Sequence, residues 1–266
     1  MSDFPADIRH VVPAMPIHPQ DESMMLGATV IMTAVTVGLL IYWVLGKERR
    51  EHGFILPLAI AGGLLSALQE PILDVLVLFW YPTSDSLVAF SAFGRDVPWF
   101  VVIGYGWYVG GLPYLVYRMI DNGIQPRSFW KLFVAIMAID MVGISVPVLM
   151  GVCGFYGNQP YDIWGYPFWW AGLDGAHPML GGLVLYWLVP KLPKPFQPLA
   201  VFLTPAILLG AVSGATVWPI ALALNTGLST AMVQLAGAAT FVLGTMLVAA
   251  SVLRLSGVRR NQLSSD

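Results

Sequence analysis

Residues 54–80 read FILPLAIAGGLLSALQEPILDVLVLFW. Apart from Gln69, Glu70 and Asp74 the run is apolar or small. It is long enough to cross a hydrocarbon core about 30 Å thick, which takes about 20 helical residues. Further runs of this kind occupy 24–46, 98–119, 131–153, 168–189, 199–224 and 228–253, with short connections between them. The pattern predicts an all-α polytopic membrane protein, a bundle of seven transmembrane helices. Composition agrees: of 266 residues 57% are hydrophobic and 11% charged, with a mean hydropathy of +0.73, whereas a soluble domain is about half apolar and about a quarter charged.

Orientation follows from the basic residues, which collect in short cytoplasmic loops. Lys47, Arg49 and Arg50 follow the first run; Arg118, Arg127 and Lys131 lie between the third and fourth; Lys191 and Lys194 lie between the fifth and sixth; Arg254, Arg259 and Arg260 follow the seventh. The opposite side carries only Arg9 and Arg95. The N-terminus is therefore expected outside and the C-terminus inside, with a polar segment 1–23, a transmembrane domain 24–253 and a cytoplasmic tail 254–266. The first segment is acidic (Asp3, Asp7, Asp21, Glu22) and lacks the basic start of a cleaved signal, so the first helix is expected to be retained. The single cysteine, Cys153, has no partner for an internal disulfide. A net charge of −2 without a basic patch argues against nucleic acid as a partner. Gly-Gly pairs at 62/63, 110/111 and 181/182 are read as close helix contacts. Prolines 71, 113, 147, 178, 205 and 219 are read as kinks.

Polar groups within the runs fall on the outer side. Glu70 and Asp74 lie in the outer half of the second helix, Asp96 opens the third, Asp140 is near the middle of the fourth, Asp174 and His177 lie in the outer half of the fifth, and Gln234 in that of the seventh. Ionisable groups at such depth are functional candidates because they need partners or a cavity. Trp80, Trp99, Trp107, Trp164, Trp169, Trp170 and Trp218 share the bias, joined by Tyr81, Tyr105, Tyr108, Tyr156 and Tyr166. A two-sided interfacial belt would be balanced, so an aromatic chamber opening outward is expected. Glu70 and Asp74, at i and i+4, share one face of a helix. A carboxyl among aromatic faces suits proton delivery to an alkene or epoxide, the rings then stabilising the carbocation. The alternative is a structural role, with the two acids bonded to groups such as Arg95, Tyr105 or His177.

Several chemistries are excluded by residue type. His10, His18 and His52 lie outside the runs, which leaves His177 alone and gives no multi-histidine centre; no metal and no cofactor are expected. Lys47, Lys131, Lys191 and Lys194 lie at inner ends or in inner loops, so a retinal Schiff base in the last helix is excluded. One acidic cluster with Arg95 as the only base nearby fits diphosphate chemistry poorly. There is no Gly-x-Ser-x-Gly elbow and no phosphate-binding loop.

The stretch Lys47-Glu48-Arg49-Arg50-Glu51-His52-Gly53-Phe54-Ile55-Leu56-Pro57-Leu58, followed in the same helix by Glu70, resembles the seven-helix integral membrane terpene cyclases of fungal meroterpenoid and indole-diterpene pathways and their bacterial relatives. The resemblance covers about two dozen residues and the helix count. It implies metal-free, acid-initiated cyclisation of a prenyl chain or its epoxide, with Glu70 as the essential acid. Two features depart from the family: the acid lies about one and a half turns further from Ile-Leu-Pro-Leu, and the last helix offers Gln234 where the family has a second acid.

The expectation is thus a membrane terpene cyclase or isomerase, in the plasma membrane of a bacterium, acting on a lipophilic isoprenoid that enters from the surrounding lipids. Glu70 would donate the proton and Asp74 tune it. Asp174 with His177 would take up the final proton or orient water, and Asp140 is the other candidate for a second acid. Asp96, Trp99, Tyr105, Trp107, Tyr108, Trp169, Trp170, Trp218 and Gln234 would bind the substrate. The rival expectations are a non-enzymatic seven-helix lipid- or pigment-binding protein or receptor, and a proton-coupled transporter that uses the same carboxylates as a relay.

Overall fold

A chain segment in lipid must satisfy its backbone polar groups internally, which makes each long apolar run a helix. The structure, a computed structural model, describes residues 13–17, 22–82 and 87–263, with side chains to residue 255. The expectations for Asp3, Asp7, Arg9, His10, His18 and Asp21, and for the side chains of Arg259 and Arg260, lie outside the described residues.

The helices are α1 (Glu22–Leu45), α2 (Glu48–His52), α3 (Ile55–Ser66), α4 (Glu70–Val77), α5 (Trp99–Tyr105), α6 (Leu112–Asp121), α7 (Pro126–Leu149), α8 (Trp169–Trp187), α9 (Gln197–Thr216), α10 (Trp218–Asn225) and α11 (Thr230–Leu263). A 3-10 turn, Ala67–Gln69, joins α3 to α4, and a π-helical turn, Gly106–Gly111, joins α5 to α6. Among the described residues six stretches are long and apolar enough to cross a membrane: Glu22–Leu45, Ile55–Val77, Trp99–Asp121, Pro126–Leu149, Lys194–Thr216 and Thr230–Leu255. Large apolar side chains stand exposed on their outward faces, among them Val30 and Ile41 on α1, Val142 on α7 and Met246 on α11. That is the pattern of a multi-pass membrane protein.

The fifth expected helix, α8, is not among the six. It carries Asp174, His177 and four glycines, and it packs against α6, α7, α9 and α11 with most of its residues buried. A helix covered by neighbours has no lipid-facing surface to keep apolar.

The chain is mostly helical, as expected, and its strands are short and confined to connections. The connections at one end form three two-stranded antiparallel pairs: β1 (Phe79–Trp80) with β4 (Gly154–Phe155), β2 (Val88–Ala92) with β3 (Arg95–Pro98), and β5 (Asp162–Ile163) with β6 (Tyr166–Pro167). These segments are rich in aromatic and β-branched residues and sit near apolar surface, where pairing backbone groups with one another is favoured over leaving them bare. They cap this end of the bundle.

The glycine pairs mark backbone-to-backbone approaches. A Cβ on Gly63 would lie 2.4 Å from the Tyr105 carbonyl oxygen and 2.8 Å from the Gly110 nitrogen, and one on Gly110 would lie 2.2 Å from the Ala59 oxygen. Only glycine lets α3 and the π-helical turn meet so closely.

At the opposite end a clamp ties α1, α2 and α6 together. Glu48, buried on α2, accepts from Tyr42 at 2.9 Å, from Arg118 Nε at 2.8 Å and from Tyr114. Burial opposes ionisation of this carboxyl, but the hydrogen bonds from Tyr114, Arg118 and Tyr42 outweigh it and hold Glu48 below the ordinary glutamate range.

Candidate functional site

The 3-10 turn tightens the helix ahead of Pro71, whose missing N–H is harmless at the start of α4. At 100° per residue, Glu70 and Asp74 then share one face of α4 while Ile72 and Leu76 occupy the other. The helix stops at Leu78, which takes up a left-handed conformation (φ 56°, ψ 50°). This backbone is unusual for leucine. It is held in place because the Leu78 N–H donates to the Asp74 carbonyl and the Leu78 carbonyl accepts from Tyr156 N–H at 2.9 Å. The turn feeds β1 and brings Tyr81 back over α4, where its hydroxyl donates to Glu70 Oε1 at 2.5 Å. Tyr105, at the junction of α5 with the π-helical turn, donates to Glu70 Oε2. Both oxygens of a buried carboxyl are therefore held by phenols. Asp74, also buried, leaves its Oδ2 without a partner.

A second acid group lies between α7 and α8. Asp140 accepts from the Tyr166 hydroxyl at 2.5 Å, and Asp174 accepts from Trp170 Nε1 at 2.6 Å, one turn back on α8. The two carboxyls lie within electrostatic reach of each other. Pro178 removes the N–H that would bond the Asp174 carbonyl, and the Tyr108 hydroxyl sits 3.5 Å from that oxygen. Asp174 lies within electrostatic reach of Tyr105 and Glu70, so the two acid groups are neighbours.

An aromatic chain connects them. Trp169 packs on Trp170 (centroids 5.5 Å apart), Trp170 on Phe155 (5.6 Å), Phe155 on Phe79 (4.6 Å), Phe79 on Tyr81 (5.1 Å) and Tyr81 on Phe100 (5.8 Å). These contacts are steeply inclined, as aromatic quadrupoles prefer.

The other expected site residues are distributed differently. His177 is buried, with Nε2 3.4 Å from the Pro205 carbonyl and Nδ1 unpartnered, and it hydrogen-bonds to neither acid group. Trp107 donates to the Met32 sulfur at 3.1 Å and packs on Tyr108. Asp96 accepts from Ser91 at 2.6 Å within the β2–β3 hairpin. Trp99 is 46% exposed and Trp218 60% exposed. Trp218 lines an apolar groove of about 470 Å³ with Ile72, Leu76 and Leu222, on the side of α4 away from the acids. Gln234, near the start of α11, is half-buried and hydrogen-bonds to neither acid group. Sequence reasoning grouped Tyr81 and Tyr166 with the aromatics without assigning them a carboxylate. The available signal was chemical: a buried carboxyl needs donors, and tyrosine supplies one where phenylalanine cannot. Among the described residues no three His, Cys, Asp or Glu side chains are grouped so as to hold a metal ion.

Comparison with known protein families, with curated proteins and with solved structures finds no match for this chain.

Proposed function

We propose that the chain crosses the plasma membrane of a bacterium seven times, α8 crossing as the fifth segment in addition to the six above, with the basic end in the cytoplasm and the capped end outside. We propose further that it is an enzyme performing metal-independent, proton-initiated cyclisation or isomerisation of a lipophilic isoprenoid. The observation that carries this reading is the pairing of two unlike acid groups: Glu70 held between two phenols, and Asp140 and Asp174 nearby, held by Tyr166 and Trp170. Glu70 donates a proton to a carbon–carbon double bond. The cation formed is stabilised by the rings of Tyr81, Phe79, Phe155 and Trp170. In cyclisation a second double bond of the chain adds to the cation, its π electrons forming the ring-closing C–C bond; a C–H bond beside the resulting cation then breaks, its electrons form the new alkene, and the proton passes to the Asp140–Asp174 pair. Substrate and product have the same composition. Low dielectric around both groups makes each hydrogen bond count for more than it would in water.

The test is incubation of membranes holding the wild type or Glu70→Gln with farnesylated and geranylgeranylated acceptors and their epoxides, in chelator, with products read by mass spectrometry. The reading expects a cyclised isomer from the wild type alone, chelator having no effect, while the Glu70→Gln protein remains folded. An equally active Glu70→Gln variant would overturn it. A ligand recovered unchanged with the folded protein, and no product from any substrate, would favour the binding-protein reading.

A further inference from the structure

Beside Glu70, the capped end holds an arginine and an acid, Arg95 and Asp74, that the chemistry above leaves unused. Arg95, on β3, is 8% exposed. Its Nη2 donates to the Tyr156 hydroxyl at 2.5 Å and its Nη1 contacts the Met15 sulfur, while its Nε has no partner. Asp74, 2% exposed, leaves Oδ2 unpartnered. Strand β3 packs on α4, and Arg95 lies within electrostatic reach of Asp74. Gln159 ties the cap to α4 by donating to the Val77 and Tyr156 carbonyls, and its Oε1 is also unpartnered.

A buried guanidinium held by a thioether and a phenol, next to a carboxyl lacking a donor, is an expensive arrangement unless something bridges the two. The bridging group must accept from Arg95 and donate to Asp74. A hydroxyl does both. A carboxylate or a fully ionised phosphate would accept from Arg95 but has no donor to offer Asp74.

We propose that Arg95 and Asp74 form a binding site for the hydroxyl head of a lipophilic alcohol, holding one end of the substrate while its chain lies along the aromatic rings beside Glu70. The lipophilic chain rests on the functional reading above; the hydroxyl site rests on the unpartnered atoms.

The test is binding to purified protein in lipid nanodiscs, read by quenching of tryptophan fluorescence, with farnesol, farnesyl methyl ether and farnesene as probes. The wild type is expected to bind farnesol at least about tenfold more tightly than farnesene, with the ether, which accepts but cannot donate, in between. Arg95→Gln and Asp74→Asn are each expected to remove the preference for farnesol over farnesene; Glu70→Gln is expected to keep it. Equal binding of the three probes, no binding of any, or an undiminished preference in folded Arg95→Gln or Asp74→Asn would overturn the site. The wild-type comparison decides even if both variants fail to fold. The two readings separate cleanly: an active Glu70→Gln variant that still prefers farnesol would remove the acid mechanism and leave the hydroxyl site standing.

Discussion

At the scale of single residues, the account depends on what fixes Glu70. Tyr81 and Tyr105 hold one carboxyl oxygen each through their hydroxyls. A hydrogen bond to a charged or partly charged group contributes about 1.5–3 kcal/mol, which at about 1.4 kcal/mol per factor of ten predicts that Tyr81→Phe and Tyr105→Phe each lower kcat about 10- to 100-fold. Because phenylalanine keeps the ring and removes only the hydroxyl that holds Glu70, KM should change little, and steady-state kinetics on both variants checks this split. Glu70 itself was legible in the sequence, since a carboxylate inside an apolar run demands an explanation. Its partner Tyr81 was not, because only the left-handed turn at Leu78 brings that residue back over α4, and nothing in the residue types around Leu78 announces such a turn.

Elements bring the residues together through two devices. One is close packing: Gly63→Val would drive a side chain into the backbone at Tyr105 and Gly110, where overpacking costs about 1–3 kcal/mol or more. A lowered melting temperature in detergent, together with lost activity because Tyr105 moves, is the expected result. The pairs 62/63 and 110/111 signalled this contact in the sequence; the π-helical turn that makes it possible did not, since a π turn differs from an α turn by one residue of register. The other device is the clamp at the basic end. Glu48 ionises more readily in the folded protein than its ordinary value of 4.5. The clamp therefore stabilises fully above that value and loses its contribution as the pH falls through the lower folded value. Melting curves from pH 7 to 3 should fall more steeply for the wild type than for Glu48→Gln; parallel curves would count against the clamp. Glu48 was hidden in the sequence by its charged neighbours, which read as an ordinary solvated loop.

Over the whole molecule, six of the seven expected runs form helices long and apolar enough to cross a membrane, while the seventh, 168–189, forms α8, which is less apolar and mostly buried. The polar residues that lower its hydropathy, Asp174 and His177, are the ones its central position lets it carry. The strand pairs of the cap escaped the sequence reading because ladders this short leave no periodicity to detect. The proposed orientation predicts that, in a Cys153→Ser background, Ser91→Cys reacts with an impermeant maleimide on intact cells and Arg50→Cys only after permeabilisation. The reverse pattern would invert the topology and put the acid groups on the cytoplasmic side.

The most direct test of proton-initiated chemistry is turnover of an alkene substrate in deuterium oxide, with the product's label located by mass spectrometry and NMR. The account predicts one carbon-bound deuterium at the site of protonation, and no labelled product from Glu70→Gln. Product formed without carbon-bound deuterium, or formed at the wild-type rate by Glu70→Gln, would contradict it.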